Sequence, residues 1–234
     1  MSSLFLTNDL YFFVALLAGI IPACFWLWFW LREDREHPEP YALVAVSFLS
    51  GMAIVPLVLP LQQLAIQLYA GDNLMLVWVI IEEAMKYLVA LVVVLWNKAV
   101  DEPIDLVMYM IFVALGFAAL ENALFIYSPL LQGAYNEVLI NGSLRFVGAT
   151  LLHVVASASV GVCMAFAFYK SNTMKLLYGT VGLFIAIVLH ALFNFSIMRS
   201  ESGEGILLIF LLVWMAVVGL FLLFEKLKRL QHKP

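Results

Sequence analysis

The chain has 234 residues, of which 65% are hydrophobic and only 12% are charged, and its formal net charge is −4. Its mean hydropathy is +1.03. A sequence this apolar has too little polar surface to cover a soluble globule, so composition excludes a soluble domain and predicts an integral membrane protein.

Seven apolar segments are long enough to cross a bilayer, since about 20 helical residues span about 30 Å of hydrocarbon. In chain order we predict spans at 9–31, 41–68, 74–96, 106–128, 145–169, 175–198 and 205–224. Pro56 and Pro60 should bend the second span. The segment 129–144 is long enough for a short interfacial helix or a gate. The sequence therefore predicts an all-α polytopic bundle of about seven transmembrane helices, forming a single domain over residues 1–234.

The basic residues are distributed unevenly between the two sides of this bundle. Of the Lys and Arg residues outside the middle of the spans, one side carries only two, Arg145 and Arg199. The connections and the C-terminal segment on the other side carry nine: Arg32, Arg35, Lys98, Lys170, Lys175, Lys226, Lys228, Arg229 and Lys233. Lys and Arg concentrate in cytoplasmic connections. We therefore expect a multi-pass cell-membrane protein whose N-terminus is outside and whose C-terminus is cytoplasmic. No Lys or Arg precedes the first span, which should be retained rather than cleaved as a signal peptide.

The two cysteines, Cys24 and Cys163, each lie inside an apolar helix and lack the spacing of a zinc or redox motif. Because free cysteines are usually small buried hydrophobes, we predict that both fill the core.

Six ionisable residues lie well inside the predicted spans, in four consecutive helices: Glu82, Glu83, Lys86, Glu121, His153 and His190. A charge at mid-bilayer costs at least ~2.5–3.5 kcal/mol on insertion scales, so each needs a compensating contact or a function. Counted from the ends of their spans, Glu82, Glu121 and the two histidines lie at a common depth, roughly 10–12 Å below the outer boundary. We expect these four side chains to meet in one pocket that opens toward the non-cytoplasmic side.

Buried polar residues can also hold helices together, for example as a Glu82–Lys86 pair with the histidines bonded to backbone carbonyls. That role does not need a common depth, whereas carboxylates and imidazoles in one layer supply the base, acid and oxyanion donors of hydrolysis. A transporter is the second function class, because intramembrane carboxylates and histidines also mark ion paths. Apart from Lys86 near mid-depth, however, the cytoplasmic half of the predicted spans contains no ionisable residue. A non-enzymatic membrane scaffold is the third class.

Four motifs follow one another along residues 75–195: EExxK from Glu82 to Lys86, FxxxEN from Phe117 to Asn122, Arg145 with His153, and HxxxN from His190 to Asn194. Together they resemble the PrsW family of intramembrane proteases, which belongs with the CAAX prenyl endopeptidases and bacteriocin-processing membrane proteins. The resemblance implies hydrolysis of a peptide bond of a membrane-anchored protein near the non-cytoplasmic face, as in the first cleavage of an anti-sigma factor.

The resemblance also implies roles for individual residues. Glu82 is the leading catalytic carboxylate, and His190 with Asn194 binds the oxyanion. The CAAX branch carries EExxxR and FxxxH, so its Glu–His dyad does not transfer directly: Glu121 stands where that branch has histidine, and His153 is the candidate to replace it. The predicted catalytic residues are Glu82, Glu83, Glu121, His153, His190 and Asn194, with Lys86, Phe117, Asn122 and Arg145 in support.

Two mechanisms stay open at this point. A glutamic-type mechanism needs no cofactor: Glu82 activates water with the help of His153, and Glu121 acts as the acid. In the zinc alternative, two histidines and a glutamate bind the metal and a second glutamate is the base. No HExxH signature is present, so the ligands would be drawn from Glu82, Glu83, Glu121, His153 and His190. We expect the lipid bilayer and a membrane-anchored protein as partners, and no nucleic acid.

Overall fold

The computed structural model describes residues 2–35, 38–200 and 203–231, so Lys233 lies outside the described residues. These residues form helices and contain no strand, which confirms the predicted all-α bundle. The helices are α1 (Ser2–Glu33), α2 (Tyr41–Leu68), α3 (Gly71–Val93), α4 (Pro103–Leu131), α5 (Tyr135–Leu144), α6 (Thr150–Ala165), α7 (Asn172–Arg199) and α8 (Gly203–Gln231). A π-helical turn, Arg145–Ala149, joins α5 to α6.

Six helical segments within the described ranges are long and apolar enough to cross a membrane: Asp9–Glu33, Tyr41–Leu68, Pro103–Leu131, Tyr135–Ala165, Asn172–Arg199 and Gly203–Arg229. The remaining predicted span, the third in chain order, is α3, whose 23 residues form about 35 Å of helix. Its composition is more polar because it contains Glu82, Glu83 and Lys86, and all three side chains are buried inside the bundle. The chain is therefore a multi-pass membrane protein.

The predicted boundaries are wrong between the fourth and fifth spans. We predicted that 129–144 connects the two spans, but α4 continues to Leu131 and α5 begins at Tyr135. The short turn between them contains Gly133, whose φ of +70° suits a residue without Cβ. From Tyr135 the helix continues for 31 residues through the π turn to Ala165, rather than to 169. The segment is therefore not a separate short interfacial helix: α5 is the first part of this long helix, and it packs against α4.

Helix α4 is the central helix of the bundle, and α1, α2 and α6 pack against it. Small residues allow close backbone approach where α2 crosses α4. A Cβ added at Gly116 of α4 would overlap the carbonyl oxygen of Phe48, and one at Gly51 of α2 would overlap that of Val113. Close approach through small residues is typical of membrane helices. It fixes α4, and therefore Glu121, relative to the surrounding helices.

The cysteines differ from each other in burial. Cys163 of α6 is half-buried, whereas Cys24 of α1 is exposed on the surface of the bundle. The prediction of a buried core filler is therefore wrong for Cys24, because α1 buries only part of its surface against the rest of the chain.

Candidate active site

Glu82 of α3 has one bonded and one free carboxylate oxygen. Its Oε1 accepts a 2.8 Å hydrogen bond from Nε2 of Gln62 in α2. Its Oε2 is buried without a hydrogen-bond partner among the described residues, and lies 3.9 Å from Nε2 of His190 in α7. A buried polar atom without a partner is costly. This oxygen is therefore the atom of the site that is available to a water, an ion or a substrate.

Glu83, the next residue of α3, is bonded to several side chains. Its Oε1 accepts a hydrogen bond from Nζ of Lys86 at 2.5 Å and lies 2.8 Å from Nδ1 of His190. Its Oε2 accepts a hydrogen bond from the hydroxyl of Ser157 at 3.3 Å. Because a carboxylate accepts, Nδ1 of His190 carries the proton, and Nε2 presents a lone pair toward Glu82.

His153 of α6 lies between a cation and a carboxylate. Nζ of Lys86 is 2.9 Å from its Nδ1, and Oε2 of Glu121 is 3.1 Å from its Nε2. A lysine ammonium can only donate, so Nδ1 accepts from it and Nε2–H donates to Glu121. The ring meets that of His190 edge to face, with centroids 4.9 Å apart. Phe117 packs on the same ring, at 5.4 Å between centroids.

Arg145, the first residue of the π turn, holds Glu121 in place. One guanidinium nitrogen forms an ion pair with Oε2 of Glu121, and Nε donates at 2.5 Å to Oδ1 of Asn122. The amide of Asn122 donates in turn to the hydroxyl of Thr150 at 2.9 Å. A π-helical turn inserts an extra residue into a helix and is frequent at functional sites. Here it joins α5 to α6 at the residue, Arg145, that contacts Glu121 and Asn122 of α4.

The structure brings together nine of the ten predicted site residues: Glu82, Glu83, Lys86, Phe117, Glu121, Asn122, Arg145, His153 and His190. Asn194 is the exception. Its amide donates to Sδ of Met75 at 3.6 Å, and it does not line the cavity beside Glu82. The geometry therefore does not support the oxyanion role that the HxxxN motif implied for Asn194.

Sequence reasoning expected the pocket near 129–144 or the end of the second span, but did not name Gln62 of α2 as a site residue. Gln62 bonds to Glu82, and Nε1 of Trp78 donates to the backbone carbonyl of Gln62 at 3.2 Å. The available signal was the presence of three glutamines, Gln62, Gln63 and Gln67, near the end of an otherwise apolar helix. An uncharged amide inside a membrane span usually has a hydrogen-bonding partner on another helix.

A cavity of about 470 Å³ lies beside the two carboxylates Glu82 and Glu121. Helices α2, α3, α4 and α5 line it, and it lies toward the end of the bundle where α2 ends and α3 begins. Its inner wall contains Phe117, and its outer part contains Ser128 and Asn141. Two of the predicted catalytic carboxylates, Glu82 and Glu121, therefore border the cavity, while Glu83 and Lys86 are not part of the lining.

Three residues of the cluster could hold a metal ion. Glu82, His153 and His190 are buried and each offers one ligand atom, all within 4.8 Å of one another. One glutamate and two histidines form a known catalytic zinc ligand set. Glu83 accepts the hydrogen bond from Nδ1 of His190, as a carboxylate often does from the second ring nitrogen of a zinc-binding histidine. Both ring nitrogens of His153 already form hydrogen bonds, one with Lys86 and one with Glu121. To bind an ion, His153 would have to give up one of these two hydrogen bonds. The donors otherwise fit a zinc-type ion in kind.

A second group of acidic side chains lies at the opposite end of the bundle. Helix α4 begins three residues earlier than predicted, so Asp105 is buried in its first turn, where it accepts hydrogen bonds from the backbone N–H groups of Asp101 and Glu102 at 2.9 and 2.8 Å. The hydroxyl of Tyr109 donates to Glu39. Burial, aided by the charge of Asp105, raises the pKa of Glu39 to about 9. Glu39 precedes α2, but the earlier start of α4 places Asp105 inside a span, so Lys86 is not the only ionisable residue in this half of the spans.

Comparison with known proteins gives consistent matches. A family model described as "PrsW family intramembrane metalloprotease" matches residues 39–222. Protease PrsW of Clostridioides difficile is 28% identical over 202 residues, covering 82% of this chain and 83% of that protein. The proteins of the same name from Geobacillus kaustophilus and Bacillus subtilis are 26% and 27% identical, covering 86% and 78% of this chain and 88% and 82% of their own lengths. No solved structure matches the chain significantly.

Proposed function

The chain belongs to the PrsW family of intramembrane proteases, and we propose that it hydrolyses its substrate at the cluster of Glu82, His153 and His190. The observation that carries this proposal is the free Oε2 of Glu82, which faces Nε2 of His190. Glu82 also lines the cavity, so a substrate in the cavity would contact it. These are the groups and the access that hydrolysis of a peptide bond needs.

In our proposed mechanism, a water molecule lies between Glu82 and His190. Their separation of 3.9 Å is too long for a direct hydrogen bond, and a bridging water would be within reach of both. As the water oxygen attacks the carbonyl carbon, Oε2 of Glu82 takes its proton, which then passes to the leaving amine. Nε2–H of His153, held by Lys86 at the other ring nitrogen, exchanges its hydrogen bond to Glu121 for one to the oxyanion, in place of Asn194.

A zinc-type ion would be held by Oε2 of Glu82, Nε2 of His190 and one ring nitrogen of His153. When bound, zinc supplies Lewis-acid polarisation of the carbonyl and an activated water. With such an ion bound, Glu82 would be a ligand, and Glu121, the other carboxylate of the cavity, would be the residue able to serve as the base. The two mechanisms therefore assign the base to different glutamates.

For the physiological substrate we propose the class that the resemblance implies, a membrane-anchored protein such as an anti-sigma factor. We also propose that the end of the bundle carrying the cavity faces the non-cytoplasmic side and that the C-terminus is cytoplasmic. The distribution of Lys and Arg supports this orientation.

Cleavage of a single-span test protein in liposomes tests the proposal. Glu82→Gln should lower the rate at least about 100-fold, because it removes either the base or a metal ligand. Glu204→Gln is the matched control, since Glu204 is exposed on α8. A correctly inserted Glu82→Gln protein with normal activity would contradict the proposal. Elemental analysis of the active protein, with chelation and metal readdition, then distinguishes the two mechanisms.

A further inference from the structure

A second cavity, of about 320 Å³, borders Arg145. It lies among α4, α5, the π turn, α7 and α8. Arg145 lines this second cavity, whereas its ion-pair partner Glu121 lines the cavity beside Glu82. Phe125, whose ring centroid is 3.8 Å from the guanidinium carbon, lines both cavities and therefore stands between them. The paired cation and carboxylate thus border different cavities.

An apolar groove between α7 and α8 adjoins this second cavity. Both helices pack against α6 more extensively than against each other, so residues of α6 such as Leu152 form the floor of the groove. Phe193 of α7 lines both the cavity and the groove. At the rim of the groove, Leu192 is 58% exposed and Leu212 is 52% exposed. Exposed apolar side chains on a membrane-spanning bundle face lipid, so the groove opens toward the hydrocarbon.

The cavity and the groove together extend across about one leaflet of a bilayer. Along α8, their lining residues run from Ile206 in the cavity to Ala216 in the groove. This stretch of helix is about 15 Å long, which is half of a hydrocarbon core about 30 Å thick. Arg145 borders the shallow end of the path, close to where α7 ends at Arg199 and α8 begins at Gly203.

The guanidinium group of Arg145 has hydrogen-bond donors left for an anion. Of its five N–H donors, contacts with the described residues use one on Nε, to Asn122, and one on Nη2, to Glu121. The side chain is 17% exposed. Arg145 is also the only charged residue among the described residues that line this cavity. A phosphate can therefore accept hydrogen bonds from the remaining donors while Glu121 keeps its own contact.

We propose that the cavity and the groove bind one anionic phospholipid from the leaflet at this end of the bundle. Its phosphate accepts hydrogen bonds from Arg145 and from the side-chain amide of Asn141, and one acyl chain lies in the groove between α7 and α8. Basic pockets between transmembrane helices bind acidic lipid head groups in this way. Phosphatidylcholine binds less well, because its head group is neutral overall and the described lining offers no carboxylate to its choline group.

Native mass spectrometry of the full chain, released from nanodiscs with equal amounts of phosphatidylglycerol and phosphatidylcholine, tests the site. We expect one retained lipid, enriched several-fold in phosphatidylglycerol. Ser196→Trp should lower this retention several-fold, because Ser196 is exposed and lines the groove, which the indole would fill. Met198→Trp is the matched control, since Met198 is on the same helix and 63% exposed but lines neither the groove nor the cavity. Equal retention by the two variants would overturn the inference.

The choice of head group tests the role of Arg145. Arg145→Gln should retain phosphatidylglycerol and phosphatidylcholine about equally, because it removes the cation and leaves the apolar groove unchanged. A folded Arg145→Gln chain that still favours phosphatidylglycerol, or a wild-type chain that does not, would contradict the proposed site. If Arg145→Gln fails to fold, the wild-type selectivity and the Ser196→Trp comparison still decide. All of these readouts measure binding, so they do not depend on whether the chain hydrolyses a substrate.

Discussion

The amide of Gln62 donates a 2.8 Å hydrogen bond to Oε1 of Glu82, and this contact leaves Oε2 of the same carboxylate to face His190. A residue outside the predicted motifs therefore orients Glu82, the carboxylate that we propose to be catalytic. Gln62 itself is held through its backbone carbonyl by Trp78.

Gln62→Leu should lower kcat by about 10- to 100-fold with a smaller change in KM, because misplacing a reacting group by about 1 Å has an effect of this size. Gln63→Leu is the control, since the neighbouring side chain is exposed and does not line the cavity. Steady-state cleavage of the single-span test protein measures both constants. If Gln62→Leu changed only KM, Gln62 would act in substrate binding rather than in positioning Glu82.

Lys86→Met should destabilise the protein strongly. Lys86 and Glu83 form a buried pair, and removing one partner of such a pair costs about 3–5 kcal/mol because the remaining charge is left without compensation. Arg199→Met is the control, because it breaks an exposed ion pair with Asp72. The side chains of Arg199 and Asp72 are 68% and 64% exposed, so the loss should cost about 0–1 kcal/mol. Unfolding in detergent measures both values.

A Glu83→Gln, Lys86→Met double variant should recover much of the stability that Lys86→Met loses, since no unpaired charge remains. It should stay inactive, because His190 loses the carboxylate that orients Nδ1 and His153 loses the ammonium at its Nδ1. Recovery of activity in this variant would show that Glu83 and Lys86 act only in stability.

The crossing of α2 and α4 gives a prediction about packing. Gly116→Ala should destabilise the bundle by about 1–3 kcal/mol, because the added methyl group overlaps the backbone of Phe48 and the helices must move apart. Gly219→Ala in α8 is the control, since a Cβ there meets no atom within 4 Å. It should be neutral or slightly stabilising. Thermal unfolding in detergent compares the two, and equal midpoints would contradict the packing argument.

Sequence reasoning was most successful where one helix carries its own signal. EExxK places Glu82 and Lys86 on one helix with fixed spacing, and the apolar runs predict the helices that carry the other residues. Contacts between helices have no such spacing, so the bond from Gln62 to Glu82 could not be read from the chain. HxxxN predicts that Asn194 shares a face with His190, but it does not show that Met75 packs against that residue.

The buried acidic group at the opposite end of the bundle makes stability depend on pH. Burial and the nearby carboxylates Asp105 and Asp34 raise the pKa of Glu39 from its usual 4.5 to about 9, so the folded state binds this proton more tightly than the unfolded state does. The stability that this proton contributes is fully present below about pH 4.5 and is lost progressively as the pH rises toward about 9.

Glu39→Gln should remove this dependence. The glutamine stays neutral and its amide oxygen can still accept the hydrogen bond from Tyr109. The variant should therefore match the wild type near about pH 5 and become increasingly more stable than it toward about pH 9. Glu137→Gln, at an exposed position on α5, should leave the pH profile unchanged. Unfolding midpoints in detergent across this range measure the effect. Parallel profiles for wild type and Glu39→Gln would mean that Glu39 titrates alike in the folded and unfolded states, and that its contact with Tyr109 does not depend on a bound proton.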